Sequence, residues 1–255
     1  MALNDVIKPG GTAVVTGAGL GIGRALVHAL LTRGMQVVAI DVDLSGLEDH
    51  ANLRRETLDV ADFEALQALA SQIGPVSLLV NNAVTRLGKG FDAPLEDWRR
   101  ALDVNLWGVI HGVRAFEGQM AASAMVVNVG SKQGITNPPG HPVYNLSKAA
   151  IKSYTEGLAH ALHGSGVSAH LLIPGWTTTG HATPQPGAWT PEQVVDHLFV
   201  ALERGDFYVL CPDNEVTPDM DKARVAWAAG DITENRPALS RWHPDWAETA
   251  RKVCS

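Results

Sequence analysis

Residues 16–23 read Thr16-Gly17-Ala18-Gly19-Leu20-Gly21-Ile22-Gly23, between a short apolar run at 12–16 and a helical pattern at 21–32. Glycines at this density let a backbone turn tightly and come close to a pyrophosphate with no Cβ in the way. The free N–H groups and dipole at the start of the following helix favour negative charge. A glycine string in a strand–turn–helix context reads as a phosphate-binding turn, with Gly17, Gly19, Leu20, Gly21, Ile22 and Gly23 as its contact residues. An acid closes the second apolar run: Asp41, 18 residues beyond Gly23. A carboxylate there can accept both hydroxyls of an adenosine ribose and would repel a 2′-phosphate, and neither Val42 nor Leu20 is basic. The expected cofactor is therefore NAD(H).

Working outward, β-branched apolar runs recur at 12–16, 36–42, 76–81, 125–129, 167–173 and 207–210. The first five lack polar alternation, as strands buried on both faces do. Helical patterns lie between them at 21–32, 62–72, 94–119 and 143–162. Strand then helix, repeated, implies parallel strands joined by right-handed crossovers. The expectation is a single domain over 1–255, an α/β doubly wound parallel sheet of about seven strands flanked by helices. Residues 177–190 read as a long substrate loop. Residues 212–255 form a C-terminal extension whose Trp227, Trp242 and Trp246 predict docking on the body of the chain or on a second subunit.

Tyr144-Asn145-Leu146-Ser147-Lys148 opens a long helical segment. Tyr144 and Lys148 are i and i+4 and share a helix face. A free phenol is a feeble base at neutral pH, and a nearby ammonium stabilises its anion, so the pair can serve as general base for an alcohol or acid for a carbonyl. Ser131, thirteen residues earlier, follows a buried strand, where a hydroxyl can bond the substrate oxygen. Ser131, Gln133, His141, Trp176 and His181 are candidates for the substrate pocket.

These motifs together resemble the short-chain dehydrogenase/reductase family over about residues 10–180, and the resemblance implies a Rossmann-like fold. It implies that Asp59 and Val60 contact the adenine, and that Asn81-Asn82-Ala83 matches the segment after the fourth strand, with Asn81 and Ala83 at the cofactor. It places Pro174, Gly175, Thr177 and Thr179 beside the nicotinamide, with Tyr144 and Lys148 also touching the cofactor. Ser131, Tyr144 and Lys148 match the catalytic serine, tyrosine and lysine, and Asn105 matches the asparagine that holds a proton-relay water. The implied reaction moves a hydride between a secondary alcohol, or its ketone, and nicotinamide. Three departures stand out. Val84 replaces a glycine, Gly130 stands where a second serine is frequent, and the usual strand ending in Asp-Gly-Gly is absent.

The net charge is −7, from 20 basic and 27 acidic residues, with no basic cluster. That argues against nucleic acid and anionic membranes as partners. Two cysteines, Cys211 and Cys254, suit neither a disulfide framework nor a zinc site. His160, His163 and Glu156 read as a helix face, and no metal is expected. Residues 1–11 lack the apolar core of a signal peptide, and no run of about 18 apolar residues exists. The expectations are a cytoplasmic chain, a homodimer or homotetramer, and a small alcohol or ketone substrate of apolar or ring-bearing character. The alternatives are an NADP-dependent carbonyl reductase and a non-catalytic dinucleotide sensor.

Overall fold

The computed structural model describes residues 2–179 and 182–255. In chain order the elements are α1 (Leu3–Val6), β1 (Thr12–Thr16), α2 (Gly21–Thr32), β2 (Gln36–Asp41), β3 (Leu53–Thr57), α3 (Phe63–Ala70), β4 (Val76–Asn81) and α4 (Leu95–Leu102). After a π-helical turn at Asp103–Trp107 come α5 (Gly108–Phe116), β5 (Met120–Val129), α6 (Gln133–Thr136), α7 (Pro142–Ala161), β6 (Val167–Ile173), α8 (Pro191–Arg204), β7 (Tyr208–Leu210), α9 (Pro218–Thr233) and α10 (Ala247–Val253). The strands form one sheet in the order β3-β2-β1-β4-β5-β6-β7. Every neighbouring pair is parallel. The chain winds outward from β1 to β3, returns to place β4 on the other side of β1, and winds outward again. A crevice opens where that direction reverses, at the carboxyl ends of β1 and β4.

Alternate strand residues face opposite layers. Ala13, Val15, Val37 and Ala39 meet Leu26, Leu30, Leu198 and Phe199 of α2 and α8. Val14, Val38, Ile40 and Leu79 meet Leu66 and Leu69 of α3 and Val113 and Phe116 of α5. Burying each such large side chain stabilises the fold by roughly 1.5–3 kcal/mol.

The structure corrects the sequence reading in several places. β3 went unread because Leu53-Arg54-Arg55-Glu56-Thr57 is an edge strand with little to bury, and its charges meet solvent. The helix expected over 94–119 is broken by the π-helical turn. β5 begins five residues earlier than its apolar run, at Met120. The 177–190 loop is zipped at its ends: Thr178 N–H donates to Trp189 O (2.9 Å) and Trp189 N–H to Trp176 O (2.8 Å). The C-terminal extension is mostly helical and packs on the chain's own body. Trp227, Ala250 and Cys254 form its small core. Trp227 Nε1–H donates to Ser240 Oγ (2.7 Å), and the Arg236 guanidinium lies 4.1 Å from the Trp227 ring.

A buried polar chain ties α7 to the sheet. Asn81 Nδ2 donates to Asn128 Oδ1 (2.9 Å), Asn128 Nδ2 to Thr155 Oγ1 (3.1 Å), and Thr155 Oγ1 to Ile151 O (2.7 Å). Thr155 and Asn128 are fully buried, so a lost partner has no water to replace it. Thr155→Val keeps the shape and orphans the Asn128 amide. It is expected to lower stability by about 1–3 kcal/mol in chemical denaturation, with Thr155→Ser much milder.

Candidate active site

The glycine turn is built against β4. Gly17 has φ +64°, and a Cβ on it would lie 2.6 Å from Ala83 Cα, while a Cβ on Gly23 would overlap the Gly17 carbonyl. Only glycine permits this approach. The residue before α2, Leu20, offers no side-chain cap, so the first helical N–H groups stay open. At the end of β2, Asp41 Oδ2 accepts from Gly19 N–H (2.8 Å) and Oδ1 from Val42 N–H (2.7 Å).

A cavity of about 920 Å³ runs from Asp41 along the crevice to Tyr144. Gly17, Leu20, Gly21, Ile22, Asp41, Asp59, Val60, Ala83, Pro174, Gly175, Thr177 and Thr179 all line it, as do Ser131, Gln133, Tyr144, Lys148 and Trp176. Asp59 is paired with Arg100 (2.6 Å). Burial pushes its carboxyl up, but the Ala61 N–H and that guanidinium hold it below the usual range. Three expected cofactor residues do not line the cavity. Gly19 packs against the Asp43 carbonyl, Gly23 lies behind Gly17, and Asn81 is buried in its bond to Asn128. The neighbour Asn82 lines the cavity instead. His141 precedes α7 at its N-terminus and is not among the lining residues. His181 lies outside the described residues.

Helix α7 carries Tyr144 and Lys148 one turn apart, as their spacing predicts. Lys148 Nζ donates to Val129 O (2.7 Å), a carbonyl one residue past the last β4–β5 pair, Asn81–Asn128. The same nitrogen lies 5.7 Å from the Tyr144 ring centroid. Lys148 is buried, and burial with the nearby Arg86 charge brings its ammonium down to about 7. Ser131 Oγ accepts from Gln133 N–H (3.2 Å) at the end of β5.

Asn105 sits on the π-helical turn and is fully buried. Its amide brackets Thr85: Oδ1 accepts from Thr85 N–H (2.7 Å), and Nδ2 donates to Thr85 O (3.0 Å) and to Ser147 Oγ (3.2 Å). Its side chain thus fixes the loop after β4.

Two groups escaped the sequence reading. Arg86, next to the bracketed Thr85, places its Cζ 5.0 Å from the Tyr144 ring centroid. Lys132 pairs with Asp221 (2.7 Å) and lies 3.5 Å from Asp213, both nearly buried, and Asp213 Oδ2 accepts from Trp176 N–H. This cluster ties the end of β5 to the extension and to the Pro174–Gly175 segment. An arginine after Asn81-Asn82-Ala83 was a visible signal for the first. The second needed partners more than 80 residues away. Glu156 is bonded to Lys152 (2.7 Å) and to the Tyr208 hydroxyl. Among the described residues no group of three His, Cys, Asp or Glu could hold a metal ion, and no helix is long and apolar enough to cross a membrane.

The family model described as short chain dehydrogenase matches residues 11–187. The chain belongs to the short-chain dehydrogenase/reductase family. It is 34% identical over 184 residues to galactitol 2-dehydrogenase (L-tagatose-forming) of Cereibacter sphaeroides, covering 67% of this chain and 72% of that enzyme. Other curated relatives are covered over as little as 34% of their length. A short-chain dehydrogenase/reductase from Burkholderia phymatum, solved in complex with NAD, superposes with a TM-score of 0.79 at 30% identity over 89% of this chain and 96% of its own. One from Burkholderia cenocepacia, solved with NADP, gives 0.75 at 27% identity over 90% and 95%. A nicotinamide dinucleotide is the cofactor of this fold, and the residues present fit one: uncapped helix amides, a glycine turn with no room for side chains, and a cavity reaching from Asp41 to Tyr144.

A lysine brought down to about 7 makes the cofactor-free fold sensitive to pH. Between about 7 and the ordinary lysine value near 10.4, the unfolded chain binds more protons at this residue than the folded one. Stability from this group therefore rises with pH across that window. The expected outcome is that the stability of the cofactor-free wild type relative to Lys148→Met increases from pH 6.5 to pH 9.5 in urea unfolding.

Proposed function

We propose that this short-chain dehydrogenase is an NAD(H)-dependent oxidoreductase acting on a secondary alcohol or its ketone. The observation that carries the reading is that Ser131, Tyr144 and Lys148 line the same cavity as Asp41 and the glycine turn. Gly17, Leu20, Gly21 and Ile22 with the open α2 amides would hold the pyrophosphate. Asp41 would hold the adenosine ribose, Val60 and Asp59 the adenine side, and Pro174, Gly175, Thr177 and Thr179 the nicotinamide side. Bound there, the nicotinamide supplies the acceptor or donor of a hydride.

The chain's own residues manage the proton. Tyr144 Oη takes the hydroxyl proton of an alcohol or returns one to a ketone oxygen. Ser131 Oγ donates to that oxygen and fixes its position. Lys148 Nζ, held by Val129 O and 5.7 Å from the Tyr144 ring centroid, is the side chain placed to assist the phenol in moving that proton. Asn105 holds the loop that carries Arg86, and the relay water assigned to it by resemblance is part of this proposal. The exposed Leu95 and Trp107, on the long helical segment before β5, support assembly as a homodimer or homotetramer.

NAD is favoured over NADP because the Asp41 carboxylate, anchored by three backbone amides, would repel a 2′-phosphate brought to the end of β2. Arg24 approaches this corner from α2, its guanidinium 3.4 Å from a Cβ built on Gly46, and it is the feature that favours the NADP alternative. A non-catalytic sensor has no use for a serine, a tyrosine and a lysine lining the cofactor's cavity.

Tyr144→Phe is expected to lower turnover of secondary alcohols by at least a thousandfold while NAD(H) affinity stays within about threefold. Residual turnover near the wild-type rate would overturn the proton role. Titration by intrinsic fluorescence should show tighter binding of NAD than of NADP, and Asp41→Ala should narrow the difference. Equal or tighter NADP binding by the wild type would favour the carbonyl-reductase alternative.

A further inference from the structure

We propose that Arg86 receives an anionic group on the substrate, and that the substrate is a hydroxy carboxylic acid interconverted with its keto acid. This rests on the oxidoreductase reading and narrows its substrate. It also replaces the apolar molecule expected from the Trp, Pro and His of the neighbouring loops.

The argument begins with charge balance along the cavity. At one end Asp41 is satisfied by backbone amides. Midway, Asp59 and Arg100 neutralise each other at 2.6 Å. Lys132 is neutralised by Asp221 and Asp213. At the Tyr144 end, among the described residues, neither Arg86 nor Lys148 has a carboxylate within 4.0 Å. Arg86 and Lys148 thus flank one phenol with no carboxylate between them, and beside burial the Arg86 charge disfavours that of Lys148. A bound carboxylate removes that repulsion.

Arg86 is also placed to recognise rather than merely to attract. Both backbone groups of the preceding Thr85 are fixed by the buried Asn105 amide. The guanidinium lies over the Tyr144 ring, 5.0 Å from its centroid, so a group it holds sits beside the side chain that handles the proton. A guanidinium offers parallel N–H donors that match the two oxygens of a carboxylate. Arg86 is exposed, so core packing imposes no charge there. In the oxidation, the carbinol C–H and O–H bonds break and a C=O bond forms. Two electrons leave with the carbon-bound hydrogen to the nicotinamide, and the oxygen-bound proton passes to Tyr144 Oη and then to solvent.

The test compares lactate, 3-hydroxybutyrate and mandelate with their methyl esters, using NAD and nicotinamide absorbance. In the wild type, kcat/KM for at least one acid should exceed that of its ester by tenfold or more. Arg86→Gln should reduce that ratio by at least tenfold, chiefly through the KM of the acid, and Arg86→Lys should keep part of it. Esters turned over as well as acids in every pair would overturn the proposal. So would a ratio unchanged in Arg86→Gln, including the case where acid and ester share one shifted pH profile, because Arg86 would then act through the tyrosine. If NAD binds but acids, esters and neutral secondary alcohols all fail to react, the oxidoreductase reading itself fails. If neutral alcohols react and acids react no better, only the role of Arg86 fails.

Discussion

A hydrogen-bonded clasp joins the ends of β1 and β4, and the crevice exists because of it. Thr16 Oγ1 accepts from the N–H groups of Asn82 (3.0 Å) and Ala83 (3.2 Å). Asn82 Nδ2 donates in return to the carbonyls of Thr16 (3.0 Å) and Gly17 (2.9 Å). Parallel strands that diverge at their carboxyl ends leave backbone groups without ladder partners, and buried groups of that kind are costly unless satisfied. Here one threonine and one asparagine satisfy them across the point where the sheet changes winding direction. The clasp fixes the glycine turn on one side and the loop bearing Thr85 and Arg86 on the other. The two ends of the cavity are thereby held in one frame.

The proton machinery depends on a second set of buried polar contacts. Asn81, Asn128 and Thr155 anchor α7 to β4 and β5, and Val129 O anchors Lys148. Asn105 joins the π-helical turn to the loop after β4 and to Ser147 on α7. These groups are polar and buried, and they bond one another across α7, β4 and β5, with the Asn81 Oδ1 atom left without a partner; such a network specifies one arrangement where an apolar core would accept several. Their common effect is to hold a phenol, an ammonium and a guanidinium at the mouth of a cavity made for a dinucleotide.

Much of this was legible in the sequence where local chemistry repeats. Apolar runs alternating with helical patterns gave the parallel sheet, and the glycine turn, Asp41, and the Tyr144–Lys148 spacing gave both ends of the cavity. What was not legible depends on partners distant in the chain or on weak burial. Leu53–Thr57 pairs with β2 through its backbone, and its charged side chains carry no strand signal. The π-helical turn leaves the apolar period over 94–119 nearly intact, so the break is invisible without coordinates. Asn81 looked like a ligand contact because it sits in a motif, yet it is buried with its amide nitrogen bonded to Asn128, and Asn82 lines the crevice. Arg86 and Lys132 read as ordinary loop charges. One becomes a site residue through its place over Tyr144, the other a strut because Asp213 and Asp221 reach it from the extension.

The clasp is the most direct place to test the account. Thr16→Val keeps the side-chain shape and leaves the Asn82 and Ala83 amides without their acceptor, while Thr16→Ser keeps the acceptor. The measurement is the dissociation constant of NADH by fluorescence titration, with far-ultraviolet circular dichroism confirming folded protein in each case. The account predicts at least a tenfold weaker constant for Thr16→Val and near wild-type binding for Thr16→Ser. Wild-type affinity in a folded Thr16→Val would show that the crevice does not depend on the clasp, and would contradict it.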